Sequence, residues 1–456
     1  MKGLRLIRSA AAAAFIAVLA AAPAAAQSTE ERVRELERKV AALAAEVAKA
    51  KPAPGPESAA LAELERRIEL VAAELEKLKL GEAAVEADES RHGLGPAASK
   101  VYRRERGVSV GGYGEVLYQN FAGARDDGAD AGRTDDLDLL RGVLYFGYKW
   151  NDDWILNTEL EWEHGSTGEN GDASVEFAYL DRLIRPEVNV RAGLVLIPMG
   201  LLNELHEPTV FLGARRPGIE SAILPTTWRE IGAGVFGEIG GFSYRTYVVN
   251  GLDARGFSAS GLRGGRQKGS NAKAEDFAWV GRLDWTATPG LIAGGAAYLG
   301  ESGQGIVDPD GGELGVPTRI FELHADWKWR GLEARALWAE AQLDDVAGLN
   351  RALDLAGNRS VGEAMDGFYL QAGYDVLAGR SGAARLVPFA RWESYDTQSE
   401  VPAGWTPNPA SDVEILTVGL SWQPFEQVVF KADWQDVDNG AGTGVDQFNL
   451  ALGYVF

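Results

Sequence analysis

The side chains best suited to binding chemistry in this chain lie in one long connection, residues 198–230. They are His206, Arg215, Arg216 and Arg229. Arginine guanidinium groups hold phosphates and carboxylates through paired hydrogen bonds, so Arg215 and Arg216 are the first candidates for an anion contact. The alternative is that they pair with neighbouring glutamates and only fix the conformation of the connection. The connection contains no lysine.

A second set of charged residues recurs at one parity of the alternating segments that fill the rest of the chain. If those segments line a water-filled lumen, the candidate wall cations are Arg141, Lys149, Arg245, Arg282, Arg335, Arg391 and Lys431, with Arg182 and Arg191 as further members. Acidic residues share the same face, so the wall is mixed in sign. Charges on opposite walls would orient dipolar solutes, whereas rings of one sign would select an ion. Salt bridges that only stiffen a barrel are the alternative.

Other kinds of site fit the sequence poorly. Gly232–Gly237 matches the dinucleotide fingerprint G-x-G-x-x-G, but an alternating segment follows it where a helix is required. The four histidines show no paired metal spacing, and cysteine is absent. We therefore expect no metal, no cofactor and no enzymatic activity. The net charge of −21 argues against nucleic acid as a partner.

The elements that must position the charged residues are strands. Trp154, Leu156, Leu160 and Trp162 share one face of a segment whose other face carries glutamates, and about sixteen segments between Val108 and Phe456 alternate in this way. The sequence therefore predicts an all-β transmembrane barrel of about 16 antiparallel strands.

The connections between these segments alternate between short turns and long loops, as in outer-membrane barrels. The predicted short turns are Asn151–Asp153, Ile239–Gly241, Thr286–Gly290, Arg330–Gly331 and Gln423–Gln427. Tryptophans lie beside these turns and toward the opposite strand ends, a pattern typical of two aromatic girdles.

The region before the barrel has three predicted parts. Residues 1–26 resemble a secretory signal peptide, with a basic start, an Ala-rich apolar run and a small-residue cleavage site. Residues 27–80 carry heptad spacing and predict a helical coiled coil for oligomerisation, although a single amphipathic helix lying on the barrel is an alternative. Residues 81–106 lack periodicity and predict a linker to the barrel at 107–456.

The barrel region resembles the porin O/P family, relatives of the phosphate-selective outer-membrane porins. The resemblance rests on Ala192–Pro208, Ile223–Gly237, Glu176–Asp181 and the terminal Tyr454–Phe456. It implies a sixteen-stranded homotrimer in the bacterial outer membrane, whose third long loop folds inward and narrows the channel. Phosphate-selective members are expected to carry lysines in that loop, and this chain departs from the pattern.

Two functions follow from these patterns. The first is a passive porin for small hydrophilic solutes, including anions such as phosphate, with outer-membrane lipid around it and the coiled coil in the periplasm. The second is a structural barrel whose coiled coil contacts the cell wall and tethers the outer membrane to it. The sequence does not distinguish anion from cation selectivity.

Overall fold

The computed structural model describes residues 87, 89–165, 171–380 and 382–456. The predicted signal peptide (1–26) and coiled coil (27–80) lie outside the described residues. The tethering hypothesis depends on the coiled coil and stays a prediction. Among the described residues, no helix is long and apolar enough to cross a membrane.

Sixteen strands of the described chain close into one barrel, in which each strand pairs antiparallel with its neighbours along the chain and the last pairs with the first. The fold class predicted for the barrel is confirmed. The strands are β1 (Gly107–Phe121), β2 (Asp136–Lys149), β3 (Trp154–Glu163), β4 (Ala173–Arg185), β5 (Val188–Leu196), β6 (Arg229–Ile239), β7 (Phe242–Asn250), β8 (Phe277–Trp285), β9 (Leu291–Glu301), β12 (Pro317–Trp329), β13 (Leu332–Leu343), β14 (Ala364–Tyr374), β15 (Arg385–Glu400), β16 (Asp412–Phe425), β17 (Val428–Asn439) and β18 (Gln447–Val455).

The remaining elements of the described residues are short and lie before the barrel or in its loops. A hairpin of β10 (Ile306–Val307) and β11 (Glu313–Leu314) interrupts the connection between β9 and β12. The α-helices are α1 (Lys100–Arg103), α2 (Ile219–Ala222) and α3 (Val346–Ala352), and the 3-10 helices are Pro208–Val210, Ala254–Gly256, Arg263–Gly265, Gly357–Arg359 and Pro409–Ser411.

The strands are polar on the inside and apolar on the outside. In β3, Glu159 and Glu161 are buried in the interior, while Trp154 and Trp162 are exposed on the outer face. Leu323, in the middle of β12, is 62% exposed although the neighbouring Glu322 is buried. Water favours the reverse arrangement, so the outer surface suits the hydrocarbon of a bilayer.

Short turns and long loops occupy opposite rims of the barrel. The rim with the short turns, here called the turn rim, has connections at 150–153, 186–187, 240–241, 286–290, 330–331 and 426–427, and the described parts (375–380 and 382–384) of the connection between β14 and β15. The predicted short turns overlap five of these; the connection at 186–187 and the one between β14 and β15 are not among the predicted turns. The other rim, the loop rim, carries the connections at 122–135, 197–228, 251–276, 302–316, 344–363, 401–411 and 440–446, and the described ends (164–165 and 171–172) of the connection between β3 and β4.

Candidate channel constriction

The longest connection, residues 197–228 between β5 and β6, lies inside the barrel and is called the lumenal loop here. On the side of β14 to β17, the backbone NH groups of Ala214 and Gly218 donate to Asp433 (2.5 Å) and Glu393 (2.6 Å). On the opposite side, His206 contacts Glu159 of β3 at 3.0 Å. Because it contacts inward side chains on both sides, the loop crosses the lumen and narrows it.

Two side chains of the loop fix its conformation. The Asn203 side chain donates to the carbonyls of Ile197 and Trp228 at 2.7 and 2.8 Å and accepts from the Trp228 NH, so it joins the two ends of the loop. Glu220, in α2, accepts the NH groups of Leu201 and Leu202 at 2.9 and 2.7 Å. A buried carboxylate satisfied by backbone donors is stable without a cationic partner.

Most of the predicted wall cations form ion pairs with carboxylates of the wall or the lumenal loop, or, for Lys149, of the turn after β2. These pairs are Arg141 with Glu115 (3.8 Å) and Glu161 (3.6 Å), Lys149 with Asp152 (3.9 Å), Arg245 with Glu204 (3.1 Å) and Asp284 (2.8 Å), Arg282 with Asp284 (2.9 Å), Arg335 with Asp326 (2.6 Å) and Arg391 with Glu393 (3.2 Å). Arg191 pairs with Asp181 at 2.8 Å. The salt-bridge alternative therefore describes this part of the wall.

Arg182 does not lie in the lumen as its parity suggested. Its side chain is exposed on the outer face, where the guanidinium lies 5.2 Å from the centre of the Trp154 ring. The neighbouring Asp181 is the residue that points inward, because adjacent strand residues face opposite sides.

A different arrangement surrounds Phe211 in the lumenal loop. The Lys431 Nζ lies 3.4 Å from the centre of the Phe211 ring, and the Arg216 guanidinium lies 6.0 Å from it. Arg216 also donates to the His206 carbonyl at 3.1 Å. Among the described residues, no carboxylate forms an ion pair with Arg215, Arg216 or Lys431. We call these three residues the tip cations.

The other two predicted anion contacts are engaged. His206 lies between Glu159 and the Asn203 carbonyl; burial disfavours its charged form, but the Glu159 carboxylate outweighs this and raises the pKa of His206. Arg229 lies 2.5 Å from Glu176 and donates to Ser174. Burial lowers the pKa of Arg215 and of Arg216, which indicates that neighbouring carboxylates do not fully compensate the two guanidinium charges.

Arg215 and Arg216 line a cavity of about 800 Å³ that lies between the lumenal loop and the loop rim. Its other polar walls come from Arg133 and Tyr395, from the carboxylates of Asp135, Asp136 and Glu393, and from the amides of β1, β17 and β18. A small hydrated solute entering from the loop rim meets these groups before the narrow part of the lumen.

The segment just before the barrel, within the predicted linker 81–106, also lies against the inner wall. We call residues 91–103 the strap. Its Leu94, Ala98 and Val101 are buried, and the Asn157 side chain of β3 donates to the Ala98 carbonyl at 2.9 Å. No periodic pattern marks this segment in the sequence, because the strap is irregular apart from the single turn of α1.

Below the lumenal loop, the strap and the wall enclose a second cavity of about 450 Å³ toward the turn rim. It is lined by Glu89, Arg91 and His92 together with Glu204, Arg245, Arg282 and Asp284. Within the described chain, no group of three or more His, Asp or Glu side chains is arranged to hold a metal ion. The glycine fingerprint at 232–237 lies within β6 and leads into β7.

The barrel and its inward loop define a porin-like fold. The structure resembles OmpF of Salmonella typhi, solved in complex with daunomycin, with a TM-score of 0.52, 11% identity and coverage of 77% of this chain and 98% of OmpF. The anion-selective porin of Comamonas acidovorans gives a TM-score of 0.49 at 12% identity, covering 77% of this chain and 100% of that porin. The outer-membrane channel DcaP of Acinetobacter baumannii gives 0.48 at 14%, covering 76% and 97%.

No family model matches the chain, so membership of the porin O/P family stays a prediction. An uncharacterized protein of Aquifex aeolicus (strain VF5) is 36% identical over 390 residues, which cover 83% of this chain and 87% of the relative. The chain belongs to the same family as that protein.

Proposed function

We propose that this protein is an outer-membrane porin, a passive channel for small hydrophilic solutes that prefers small anions such as phosphate. The observation that carries the proposal is the lumenal loop, which crosses a polar lumen and presents Arg215 and Arg216 to the loop-rim cavity without carboxylate partners. In this proposal the loop rim faces outward and the turn rim faces the periplasm.

The channel works without a catalytic step or a cofactor, and we propose that the protein is not an enzyme. The outer face excludes lipid from the lumen, the lumenal loop limits solute size, and the charges near the constriction set ion preference. The paired wall cations contribute little to this preference because each has a carboxylate close by. The homotrimer implied by the family resemblance is part of the proposal.

The test is single-channel conductance of the purified protein in a planar bilayer, with the reversal potential measured in a KCl gradient. The double variant Arg215→Ala, Arg216→Ala should shift the reversal potential toward cation selectivity. A unit charge about 5 Å from the ion path contributes about 0.8 kcal/mol in a water-filled pore, so anion preference should fall roughly fourfold for each charge removed. Block of chloride current by phosphate should weaken in parallel.

Arg182→Ala is the matched control, because it removes the same side chain from the outer face of the barrel. It should leave the reversal potential unchanged. An unchanged reversal potential in the double variant would remove Arg215 and Arg216 from the anion path. Absence of conductance from correctly folded wild-type protein would overturn the open-channel proposal itself.

A further inference from the structure

The strap is built into the barrel interior by contacts with the wall. The Tyr102 hydroxyl donates to Asp181 of β4 at 2.6 Å and accepts from Arg191 of β5 at 3.0 Å. The His92 ring packs against the rings of Tyr102 and Phe236 with centroid distances of 4.7 and 5.1 Å. The strap is therefore held on the inner faces of β3 to β6, near the turn rim.

The lumenal loop holds the strap from the other side. The Glu207 carboxylate accepts hydrogen bonds from the backbone NH groups of Ala97 and Ala98 at 2.9 and 3.0 Å. Burial raises the pKa of Glu207 to about 7, and the two NH donors partly offset this cost. Because Glu207 lies in the same loop as Arg215 and Arg216, one loop connects the strap to the tip cations.

Glycines supply the space in which the strap lies. A Cβ atom on Gly147 of β2 would lie 2.5 Å from the Val101 side chain, and one on Gly95 would lie 2.5 Å from the Glu207 carboxylate. Neither distance is compatible with an ordinary carbon contact. By contrast, a Cβ on Gly142, which belongs to the same strand and faces outward, would meet no atom within 4 Å. The inner wall therefore carries a glycine, with no side chain, where Val101 of the strap packs.

We propose that the strap is a second constriction of the channel. It narrows the lumen on the turn-rim side, and its Arg91 and His92, with Glu89 just before it, supply part of the lining that a solute passes there. The inference rests on the proposed function, because a constriction has meaning only in a conducting pore. It assigns selectivity at the turn rim to a segment outside the barrel strands.

The first experiment tests whether the strap lines the water path. The chain contains no cysteine, so His92→Cys introduces a single thiol into the turn-rim cavity. Positively and negatively charged methanethiosulfonate reagents should each lower the single-channel current and should shift the reversal potential in opposite directions. Gly142→Cys, on the outer face of β2, is the control and should show neither effect.

The second experiment removes the strap from its place. In Gly147→Leu the added side chain occupies the position of Val101, whereas Gly142→Leu adds the same side chain to the outer face. A helical turn with its side chains is about 10 Å across, so release of the strap should raise conductance about twofold. Gly142→Leu should conduct like the wild type. If Gly147→Leu does not fold, Glu207→Ala removes the contact with Ala97 and Ala98 and gives the same readout.

Failure of the two proposals can be told apart. If the wild type conducts but modification of His92→Cys changes neither current nor reversal potential, or the thiol is not modified at all, the strap inference is overturned and the porin proposal stands. If the wild type is silent and Gly147→Leu conducts, the strap closes the pore and the open-channel proposal fails. If both are silent, both proposals are overturned.

Discussion

The cations of the barrel wall and the tip cations are compensated differently. Arg282 and Arg391 lie two residues before an acidic residue on the same face of a strand and pair with it. Lys431 stands in the same relation to Asp433, but Asp433 accepts the Ala214 NH and the Asn449 amide instead. The loop backbone thus takes the carboxylate that would otherwise pair with Lys431.

This difference indicates that the wall charges serve stability, whereas the tip cations keep charges that no carboxylate pairs with and that can act on ions in the lumen. Breaking a buried ion pair leaves an uncompensated charge and is strongly destabilising. Removing a buried charge that has no pair also removes its desolvation cost, so stability changes little. The predictions below test this division.

The largest effect is expected at Asp284. Its carboxylate contacts His324 and Arg245 at 2.8 Å and Arg282 at 2.9 Å, so Asp284→Ala leaves these groups buried without their shared partner. We expect the free energy of unfolding to fall by about 3–5 kcal/mol. Urea-induced unfolding in lipid vesicles measures it.

The matched control is Asp152→Ala, because the Asp152 side chain is 96% exposed and lies 3.9 Å from Lys149. Its effect should stay below about 1 kcal/mol. Equal effects of the two substitutions would show that the buried wall pairs do not stabilise the barrel.

A smaller effect on stability, with a clear effect on selectivity, is expected for Lys431→Met. The substitution keeps an unbranched side chain of similar length and removes a buried charge that lies over the Phe211 ring. The lost cation–π contact, about 0.5–2 kcal/mol, opposes the gain from removing an unpaired charge, so stability should change by about 1 kcal/mol or less. Anion preference should fall, but by less than the roughly fourfold change expected for each loop arginine, because Lys431 is buried and does not line the loop-rim cavity.

Arg391→Met provides the comparison within the wall. Arg391 is paired with Glu393, and its removal leaves that carboxylate with the Gly218 NH alone. Unfolding should be easier by about 3 kcal/mol, with a smaller change in reversal potential than for Lys431→Met. A larger change in selectivity for Arg391→Met than for Lys431→Met would contradict the proposed difference between the paired wall cations and the tip cations.

The smallest expected effect is that conductance depends on pH, because pH changes how firmly the strap packs in the lumen. Burial, aided by Arg191, lowers the pKa of His92 to about 4 from an ordinary 6.5, so packing of the strap is favoured above pH 6.5 and is weakened as pH falls toward 4. Burial raises the pKa of Glu207 to about 7 from 4.5, so its contribution is favoured below pH 4.5 and is lost as pH rises through 7. The two contributions oppose each other in the wild type.

Single substitutions separate them. In Glu207→Gln, conductance should rise as pH falls from 6.5 to 4. In His92→Gln, conductance should rise as pH increases from 4.5 to 7. Each rise should be smaller than the change of about twofold that is expected for full release of the strap. The charged groups nearest these two side chains are the same in both variants. They are Arg191, Asp181, Arg91 and Arg245 around His92, and His206 and Glu159 around Glu207. Parallel pH profiles for the two variants would contradict the assignment.

The strands could be predicted from the sequence because alternation directly reports which face meets lipid. Trp154–Glu163 shows this, and the predicted segment coincides with β3. Pairing on one strand is also readable, since residues two apart share a face, as Arg282 and Asp284 do. The absence of an ion pair at Lys431 could not be predicted from the sequence. It depends on the Ala214 NH, which binds Asp433 from a loop more than 200 residues away in sequence.

The position of the strap could not be predicted from the sequence, for a related reason. Its contacts are made by backbone groups of Ala97 and Ala98 and by glycines in the wall, and none of these carries a periodic signal. The β10–β11 hairpin was missed likewise, because strands of two residues are too short to show alternation.

The position of the lumenal loop also constrains how the chain can fold. The loop follows β5, but its partners Tyr369, Glu393 and Asp433 belong to β14, β15 and β17, and the barrel closes only when β18 reaches β1. Contacts between residues so distant in sequence form late, because the entropy of closing a long loop must first be overcome. The contacts of the loop with β14, β15 and β17 must therefore wait until most of the wall has assembled, which makes its final insertion a late step of assembly.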